Sequence, residues 1–308
     1  MSPTFDWARI ERSPGHYDFR GYDGLMAATA ERGVAVLPVL FDPPAFRSSR
    51  PAHGARPGTY PPRSDAALGA FAAAAIARYG PSGSFWREHP RLPAVPIRAW
   101  QVWNEPSLPA YWPMGPDPAA YARLLQVTAR AIRRADPRAT VVSAGIPQSR
   151  IGVPFARYVD GLYRAGGRSA FDVLAIHAYA RDAGGVLAAV RSARRLMDAH
   201  GDHRPIWVTE VGWASAGPPS AFTIGAQAQA RQVYAALTRL ARRRTALNLR
   251  GVVYSTWTDG GVYRGGTDFW GLHTGLLTVR GAPKPAFYAF QRAGRRVTQL
   301  LARRPQKR

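Results

Sequence analysis

Glutamate is scarce in this chain of 308 residues, yet two of its five glutamates stand at the ends of strongly apolar segments. Glu105 follows the apolar run 97–103, and Glu210 follows the apolar run 206–209, with tryptophans close to both. An ionisable group beside a core is unfavourable unless it is paired or hydrogen-bonded. A single such glutamate is explained by a helix cap or an ion pair with one of the many arginines. Two of them in matching positions are candidates for shared chemistry.

Paired carboxyl groups and aromatic rings point to one reaction class. Two carboxyl groups about 5 Å apart cleave a glycosidic bond with retention, one as acid/base and the other as nucleophile. Tryptophan and tyrosine faces pack against the apolar faces of sugar rings, and the chain has nine tryptophans. Trp257, which closes the last apolar run, is the candidate floor of a sugar site, and Trp213 lies three residues after Glu210.

The elements that must position these residues alternate in type along the chain. Short apolar runs predict strands, and segments with helical spacing between them predict helices. The predicted strands are Val34 to Leu40, Ile97 to Trp103, Thr140 to Ala144, Val173 to Ile176, Ile206 to Thr209 and Val252 to Trp257. The predicted helices are Tyr22 to Arg32, Asp65 to Tyr79, Pro118 to Ala135, Pro154 to Ala165, Gly185 to His200 and Ala226 to Arg243. Asp65 and Asp117 are the expected N-caps of two of these helices.

Strands that are apolar at nearly every position indicate a parallel sheet covered by helices. That leaves a closed barrel or an open doubly wound sheet. The chain has no GxGxxG after a strand and no GxxxxGK[ST], which an open sheet commonly carries. We therefore expect an α/β fold of the (β/α)8 TIM-barrel type, with catalytic groups at the carboxyl ends of its strands.

Composition narrows the remaining possibilities. A 46% hydrophobic content supports one large core, and we expect a single catalytic domain over residues 1–302. The absence of cysteine excludes disulfides and a cysteine nucleophile, and without HExxH the chain offers no recognisable metal site. We therefore expect neither a metal nor a cofactor. No apolar run reaches the roughly 20 residues of a membrane helix, so no membrane partner is expected.

The charge balance is strongly basic, with 42 basic against 19 acidic residues and a net charge of +23. Such a balance is typical of nucleic-acid-binding proteins. However, all but two of the basic residues are arginines, and most fall on predicted outer helix faces. We interpret them as solvated faces and expect no nucleic-acid partner. The basic C-terminal tail, residues 303–308, is the segment expected to bind polyanions weakly.

Four motifs occur in an order that carries a family resemblance. They are Trp103-Asn104-Glu105-Pro106, Ala175-Ile176-His177-Ala178-Tyr179, Thr209-Glu210-Val211-Gly212-Trp213 and Tyr254-Ser255-Thr256-Trp257. The chain resembles glycoside hydrolase clan A, the retaining (β/α)8-barrel glycosidases, and within it family 39 or cellulase-like members of family 5. The resemblance implies that Glu105 is the general acid/base and that Glu210 is the nucleophile. It also implies that Asn104 contacts the sugar 2-hydroxyl and Tyr179 bonds the nucleophile, with His177, Trp213 and Trp257 binding substrate.

The same resemblance places the stretch around Phe5-Asp6-Trp7 just after the clan's second strand. We accordingly expect strand one, helix one and most of strand two to be missing, together with the clan's strand-two arginine. Two hypotheses follow. The chain is either a retaining O-glycosyl hydrolase acting on a β-linked glycoside or polysaccharide, or a catalytically impaired carbohydrate-binding remnant of one. Sugar, linkage, exo or endo cleavage, oligomeric state and localisation stay open, and an upstream signal peptide would make the protein secreted.

Overall fold

Parallel strands alternate with helices in the computed structural model, which describes residues 1–52, 60–261 and 268–302. The predicted basic tail, residues 303–308, lies outside the described residues. The strands are β1 Thr4–Asp6, β2 Glu11–Ser13, β3 His16–Tyr17, β4 Val39–Phe41, β5 Ala99–Val102, β6 Thr140–Val142, β7 Ile146–Pro147, β8 Leu174–His177, β9 Ile206–Glu210 and β10 Leu249–Val252. The helices are α1 Trp7–Ile10, α2 Arg20–Ala30, α3 Asp65–Tyr79, α4 Ser84–Glu88, α5 Pro118–Ala135, α6 Phe155–Arg164, α7 Ala183–Ala199, α8 Ala226–Arg243 and α9 Pro285–Ala302.

The chain divides into two compact units, Met1–Ala175 and a second that begins at Ile176. In the first unit, four parallel strands pair in the order β1-β4-β5-β6. Their register aligns Thr4 with Val39 and Val39 with Gln101. Because the strands are parallel, their carboxyl ends meet at one edge of the sheet, where Asp6, Asp42 and the segment after Val102 lie. The assignment of residues 1–302 to a single domain stays a prediction.

Helices α3 and α5 of the first unit begin and end at the residues predicted from their spacing. Asp117 caps α5 as expected, since its carboxylate accepts from the backbone N–H of Ala119 at 2.8 Å and of Ala120 at 3.1 Å. The N-cap predicted at Asp65 is wrong by one residue. Ser64 occupies the cap, and Asp65 is the first helical residue, where its negative charge still complements the helix dipole.

In the second unit, β10 pairs in parallel with β9, and the backbone N–H of Ala178, just after β8, donates to the carbonyl of Glu210 at 2.9 Å. The carboxyl ends of β8 and β9 therefore lie side by side. Helices α8 and α9 pack against one another, with Val233 and Ala289 among their buried residues. Within the described ranges, no helix has both the length and the apolar character that crossing a bilayer requires.

Two predicted strands are displaced in the structure. The run Val34 to Leu40 contributes only its end to β4, although the backbone N–H of Leu37 donates to the Met1 carbonyl at 2.8 Å. The run Val252 to Trp257 overlaps the observed β10, Leu249–Val252, at one residue. Its remaining residues are half-buried or exposed, and the backbone N–H of Val253 still donates to the Val208 carbonyl at 2.8 Å. Arg250 and Gly251 interrupt the apolar pattern within β10 itself, which hid this strand from the periodicity.

Candidate active site

The segment after β5 has an unusual backbone. Trp103 and Glu105 adopt positive φ angles of 73° and 40°, a region that side chains other than glycine rarely occupy. Asn104 between them forms an isolated parallel bridge with Gly145, and the N–H of Glu105 donates to the Gly145 carbonyl at 3.2 Å. Backbone in such conformations persists only where surrounding contacts hold it. These contacts fix the directions in which Asn104 and Glu105 leave the sheet.

The packing of Trp103 holds this turn in place. Its side chain is fully buried, and its indole N–H donates to the Tyr111 carbonyl at 3.2 Å. The Phe41 ring, at the end of β4, lies edge-on with centroids 4.8 Å apart, and Trp112 lies at 5.9 Å. This tryptophan therefore packs and supports Glu105, while Glu105 remains partly exposed.

In the second unit, three of the predicted residues converge. The Tyr179 hydroxyl donates to one carboxylate oxygen of Glu210 at 2.8 Å, and Nε2 of His177 lies 3.5 Å from the other. His177 ends β8 and Tyr179 follows two residues later, and both side chains face the same carboxylate. His177 is fully buried, whereas a third of the Glu210 side chain is exposed. Tyr179 and His177 thus contact the carboxylate of Glu210 on one side, and its exposed side is open to solvent.

An aromatic cluster extends this site. Trp270 packs edge-on against Tyr179 with centroids 5.1 Å apart, and Phe222 lies 4.6 Å from Trp270 and 5.9 Å from Tyr179. Sequence reasoning missed Phe222, because it lies in the loop after β9 with no local pattern around it. The bridge between Ala214 and Thr223, which returns this loop towards β9, is the signal that identifies it. All three rings are partly exposed, as a sugar-stacking surface requires.

The two tryptophans predicted to touch sugar differ in exposure. Trp257 is 52% exposed, and its ring lies edge-on to Phe287 at 5.9 Å, so it presents an open aromatic face. Trp213 exposes none of its surface, and its indole N–H donates to the Ala180 carbonyl at 2.8 Å. In this structure Trp213 therefore ties the loop after β9 to the segment after β8 and presents no face to a ligand.

Two further carboxylates lie at the sheet edge of the first unit. Asp42 follows β4 with a positive φ of 66°, and Asp6 ends β1, paired with Arg9 at 2.9 Å. Burial, together with the negative charge of Asp6, raises the pKa of Asp42 to about 6 against the opposing effect of Arg9. Asp42 therefore holds its proton to a higher pH than an ordinary aspartate does.

The structure thus brings Tyr179, His177 and Glu210 together and places Asn104 and Glu105 on one turn after β5. That Glu105 and Glu210 act on one bond stays a prediction. Residues 91–245 match the profile of the family described as glycosyl hydrolase catalytic core. No curated protein matches the chain by sequence.

Solved structures of glycosidases share the fold. A family 39 glycoside hydrolase from Bacteroides cellulosilyticus WH2 has a TM-score of 0.67 at 20% identity, covering 97% of this chain and 58% of its own. A monomeric beta-xylosidase from Caulobacter crescentus CB15 has a TM-score of 0.63 at 21% identity, covering 90% and 56%. An exo-beta-1,4-mannosidase from Opitutaceae bacterium strain TAV5 has a TM-score of 0.63 at 18% identity, covering 98% and 54%. The fold is of the α/β, (β/α)8-barrel type, and the chain spans little more than half the length of these neighbours.

Proposed function

We propose that this chain, which belongs to the glycosyl hydrolase catalytic core family, hydrolyses O-glycosidic bonds of β-linked glycosides with retention of configuration. The observation that carries the proposal is the carboxylate of Glu210, which receives the Tyr179 hydroxyl on one oxygen and stays a third exposed. A nucleophilic carboxylate must be oriented and ionised, with one face open to the anomeric carbon. The hydrogen bond from Tyr179 and the exposed third of the Glu210 side chain support this role.

Glu210 is the nucleophile in this proposal. The hydrogen bond from Tyr179 stabilises the ionised form of Glu210 and fixes one carboxylate oxygen. Nε2 of His177 lies 3.5 Å from the other oxygen. His177 is buried and therefore acts by positioning the carboxylate. Tyr179, Trp270 and Trp257 supply aromatic surface for the sugar.

Glu105 is the acid/base. It protonates the leaving oxygen in the first step and removes a proton from water in the second. The positive φ angles on either side of Asn104 support this assignment, since such backbone clusters at functional sites. Asn104 is assigned a hydrogen bond to the sugar 2-hydroxyl that strengthens in the transition state.

The substrate is a carbohydrate, and a β-xyloside is the first probe. The neighbours include proteins named as a xylosidase, a glucosidase and a mannosidase, at 16 to 21% identity, so β-mannosides and β-glucosides form the rest of the panel.

The test replaces Glu210 by alanine and adds azide. The variant should lose hydrolysis of aryl β-glycosides, and azide should restore turnover and yield the glycosyl azide of inverted configuration. The control is Arg191→Ala, which replaces an exposed arginine of α7 and should behave as wild type. Full activity of Glu210→Ala would overturn the assignment. Sugar binding by the wild-type chain without turnover would make it a carbohydrate-binding remnant.

A further inference from the structure

A groove lined by arginines runs between α8 and α9 of the second unit, and none of the residues assigned to catalysis lines it. It has a volume of about 700 Å³. Each helix contributes four residues at spacings i, i+3, i+4 and i+7, which places them on one face. From α8 these are Gln227, Ala230, Arg231 and Tyr234, and from α9 they are Arg292, Arg295, Arg296 and Gln299.

The groove concentrates positive charge. Neither α8 nor α9 contains an aspartate or a glutamate. Among the described residues, Arg231, Arg292, Arg295 and Arg296 take part in no ion pair, and three of the four are exposed. Four guanidinium groups around one groove repel each other, and a ligand with several negative charges relieves that repulsion. The guanidinium fork also matches carboxylate and sulfate oxygens in pairs.

The remaining lining residues indicate which polyanion fits. Gln227 and Gln299 offer amide groups, which hydrogen-bond neutral hydroxyls as well as anions. Arg296 already donates to the Gln299 side chain at 3.2 Å, so these two are held as a pair. Tyr234 is 39% exposed and presents an aromatic face beside Arg231. Amides for hydroxyls, one ring for a sugar face and arginines for acid groups together suit an acidic sugar chain.

The pattern suits a nucleic acid less well. Single strands are held by aromatic rings on which successive bases stack. This groove has one exposed ring, and its arginines repeat at one helical turn, about 5.4 Å, which is close to the length of one pyranose unit. The charge density of this face therefore matches a polysaccharide that carries one acid group every one or two sugars.

We propose that the α8–α9 groove is a secondary binding site that holds an acidic polysaccharide by its carboxylate or sulfate groups. The inference rests on the proposed function for the identity of the ligand as carbohydrate. Binding at the groove is measurable without hydrolysis, so the two proposals fail separately.

The experiment measures binding of oligogalacturonate to the full chain by fluorescence anisotropy, with neutral xylo-oligosaccharide, heparin oligosaccharide and a DNA oligomer of similar length as further arms. The groove variant is Arg231→Glu with Arg295→Glu. The matched control is Arg191→Glu with Arg195→Glu, two exposed arginines of α7, which leaves the same net charge. A milder pair, Arg231→Gln with Arg295→Gln, guards against loss of folding, and thermal unfolding checks all three.

Wild type and control should bind oligogalacturonate with equal affinity, and the groove variants should bind it roughly a hundredfold more weakly at the same salt concentration. Neutral xylo-oligosaccharide should bind weakly to all variants. Tighter binding of heparin than of oligogalacturonate, lost in the same variants, assigns sulfate as the acid group. The inference would be overturned if groove and control variants lost affinity for oligogalacturonate equally. It would also be overturned if wild type bound none of the acidic oligosaccharides, or if it bound DNA more strongly through the same arginines. Hydrolysis of aryl β-glycosides alongside any of these results would leave the proposed function intact.

Discussion

Two carboxylates in similar aromatic surroundings, Glu11 and Glu210, are held in opposite ways. Glu11 has no exposed surface, and it accepts from the Trp7 indole at 2.6 Å, the Gly15 backbone at 2.7 Å and Arg47 at 2.7 Å. Burial acts to raise the pKa of Glu11, but these hydrogen bonds, led by that of Arg47, outweigh it and leave the pKa below its usual value. Glu210 is held by Tyr179 and faced by His177, with a third of its side chain exposed.

We interpret the difference as that between a carboxylate that holds the fold and one that is proposed to act on a substrate. Around Glu11, a guanidinium, an indole and a backbone N–H occupy the carboxylate oxygens, so their lone pairs are committed to the fold. Around Glu210, a hydroxyl fixes the direction of the group while solvent reaches it. A carboxylate beside tryptophan is therefore a weak signal by itself, and its exposure and the identity of the donors around it are more informative.

The sharpest test of the comparison exchanges each carboxylate for an amide. Glu210→Gln should lower kcat/KM for aryl β-glycosides by about 10⁴-fold or more, since the nucleophile is removed, with little change in stability. Glu11→Gln should keep kcat/KM near wild type but lower the free energy of unfolding by about 2 kcal/mol, because the amide nitrogen meets existing donors. Steady-state kinetics and urea unfolding measure both. Reversal of the two outcomes would break the comparison.

The ion pair between Glu11 and Arg47 provides the second test. Arg47→Ala should destabilise the protein by about 3 kcal/mol, because it leaves a buried carboxylate without its cation. Arg9→Ala is the matched control, since Arg9 pairs with Asp6 at a similar distance but is 82% exposed, and it should cost less than about 1 kcal/mol. Equal effects of the two substitutions in urea unfolding would show that Glu11 is not held as described.

Removal of the Tyr179 hydroxyl tests the surroundings of Glu210. Tyr179→Phe should lower kcat/KM by about 10- to 100-fold with a small change in stability, because Glu210 loses a donor that orients it. Tyr79→Phe removes a buried hydroxyl that donates to Asp23 at 2.6 Å and should act on stability alone, by about 1–3 kcal/mol. A pure stability effect of Tyr179→Phe would count against its place beside the nucleophile.

The smallest effect concerns pH and Asp42. Because its pKa is raised from 3.8 to about 6, the folded protein holds a proton that the unfolded chain releases. This stabilises the fold fully below pH 3.8 and is lost as the pH rises through about 6. Asp42→Asn, which also tolerates the positive φ, should therefore be more stable than wild type at pH 8 by about 1 kcal/mol, after discounting for solvent screening. At pH 4 the two proteins should unfold at the same urea concentration, and a gain that persists there would reject this reading.

The sequence predicted elements best where caps and spacing agree. Helix α5 has Asp117 and Pro118 at its start and a regular apolar face, and its bounds match the prediction. Strand β10 has no such agreement, because Gly251 shifts its register against Trp207. The apolar run that begins at Val252 is half-buried or exposed, so its composition did not mark where the strand lies.

The residues of the candidate site also differ in how far the sequence predicts their contacts. Tyr179 was expected to bond Glu210, and the hydrogen bond is present. Trp213 was expected to touch sugar, yet its indole bonds the Ala180 carbonyl, 33 residues away, and the ring is buried. Phe222 enters the aromatic cluster through the path of a loop. Burial and loop paths are tertiary properties, and spacing along the chain does not contain them.

The most direct test of the account is to trap the glycosyl-enzyme. The wild-type chain is incubated with a 2-deoxy-2-fluoro-β-xyloside that carries a dinitrophenyl leaving group, and with the mannoside and glucoside counterparts, and is then digested for mass spectrometry. A retaining enzyme forms a covalent ester with its nucleophile. The account predicts stoichiometric label on the peptide that contains Glu210 and none in Glu210→Gln. Label on another carboxylate, or turnover of the parent glycosides with inversion, would contradict it.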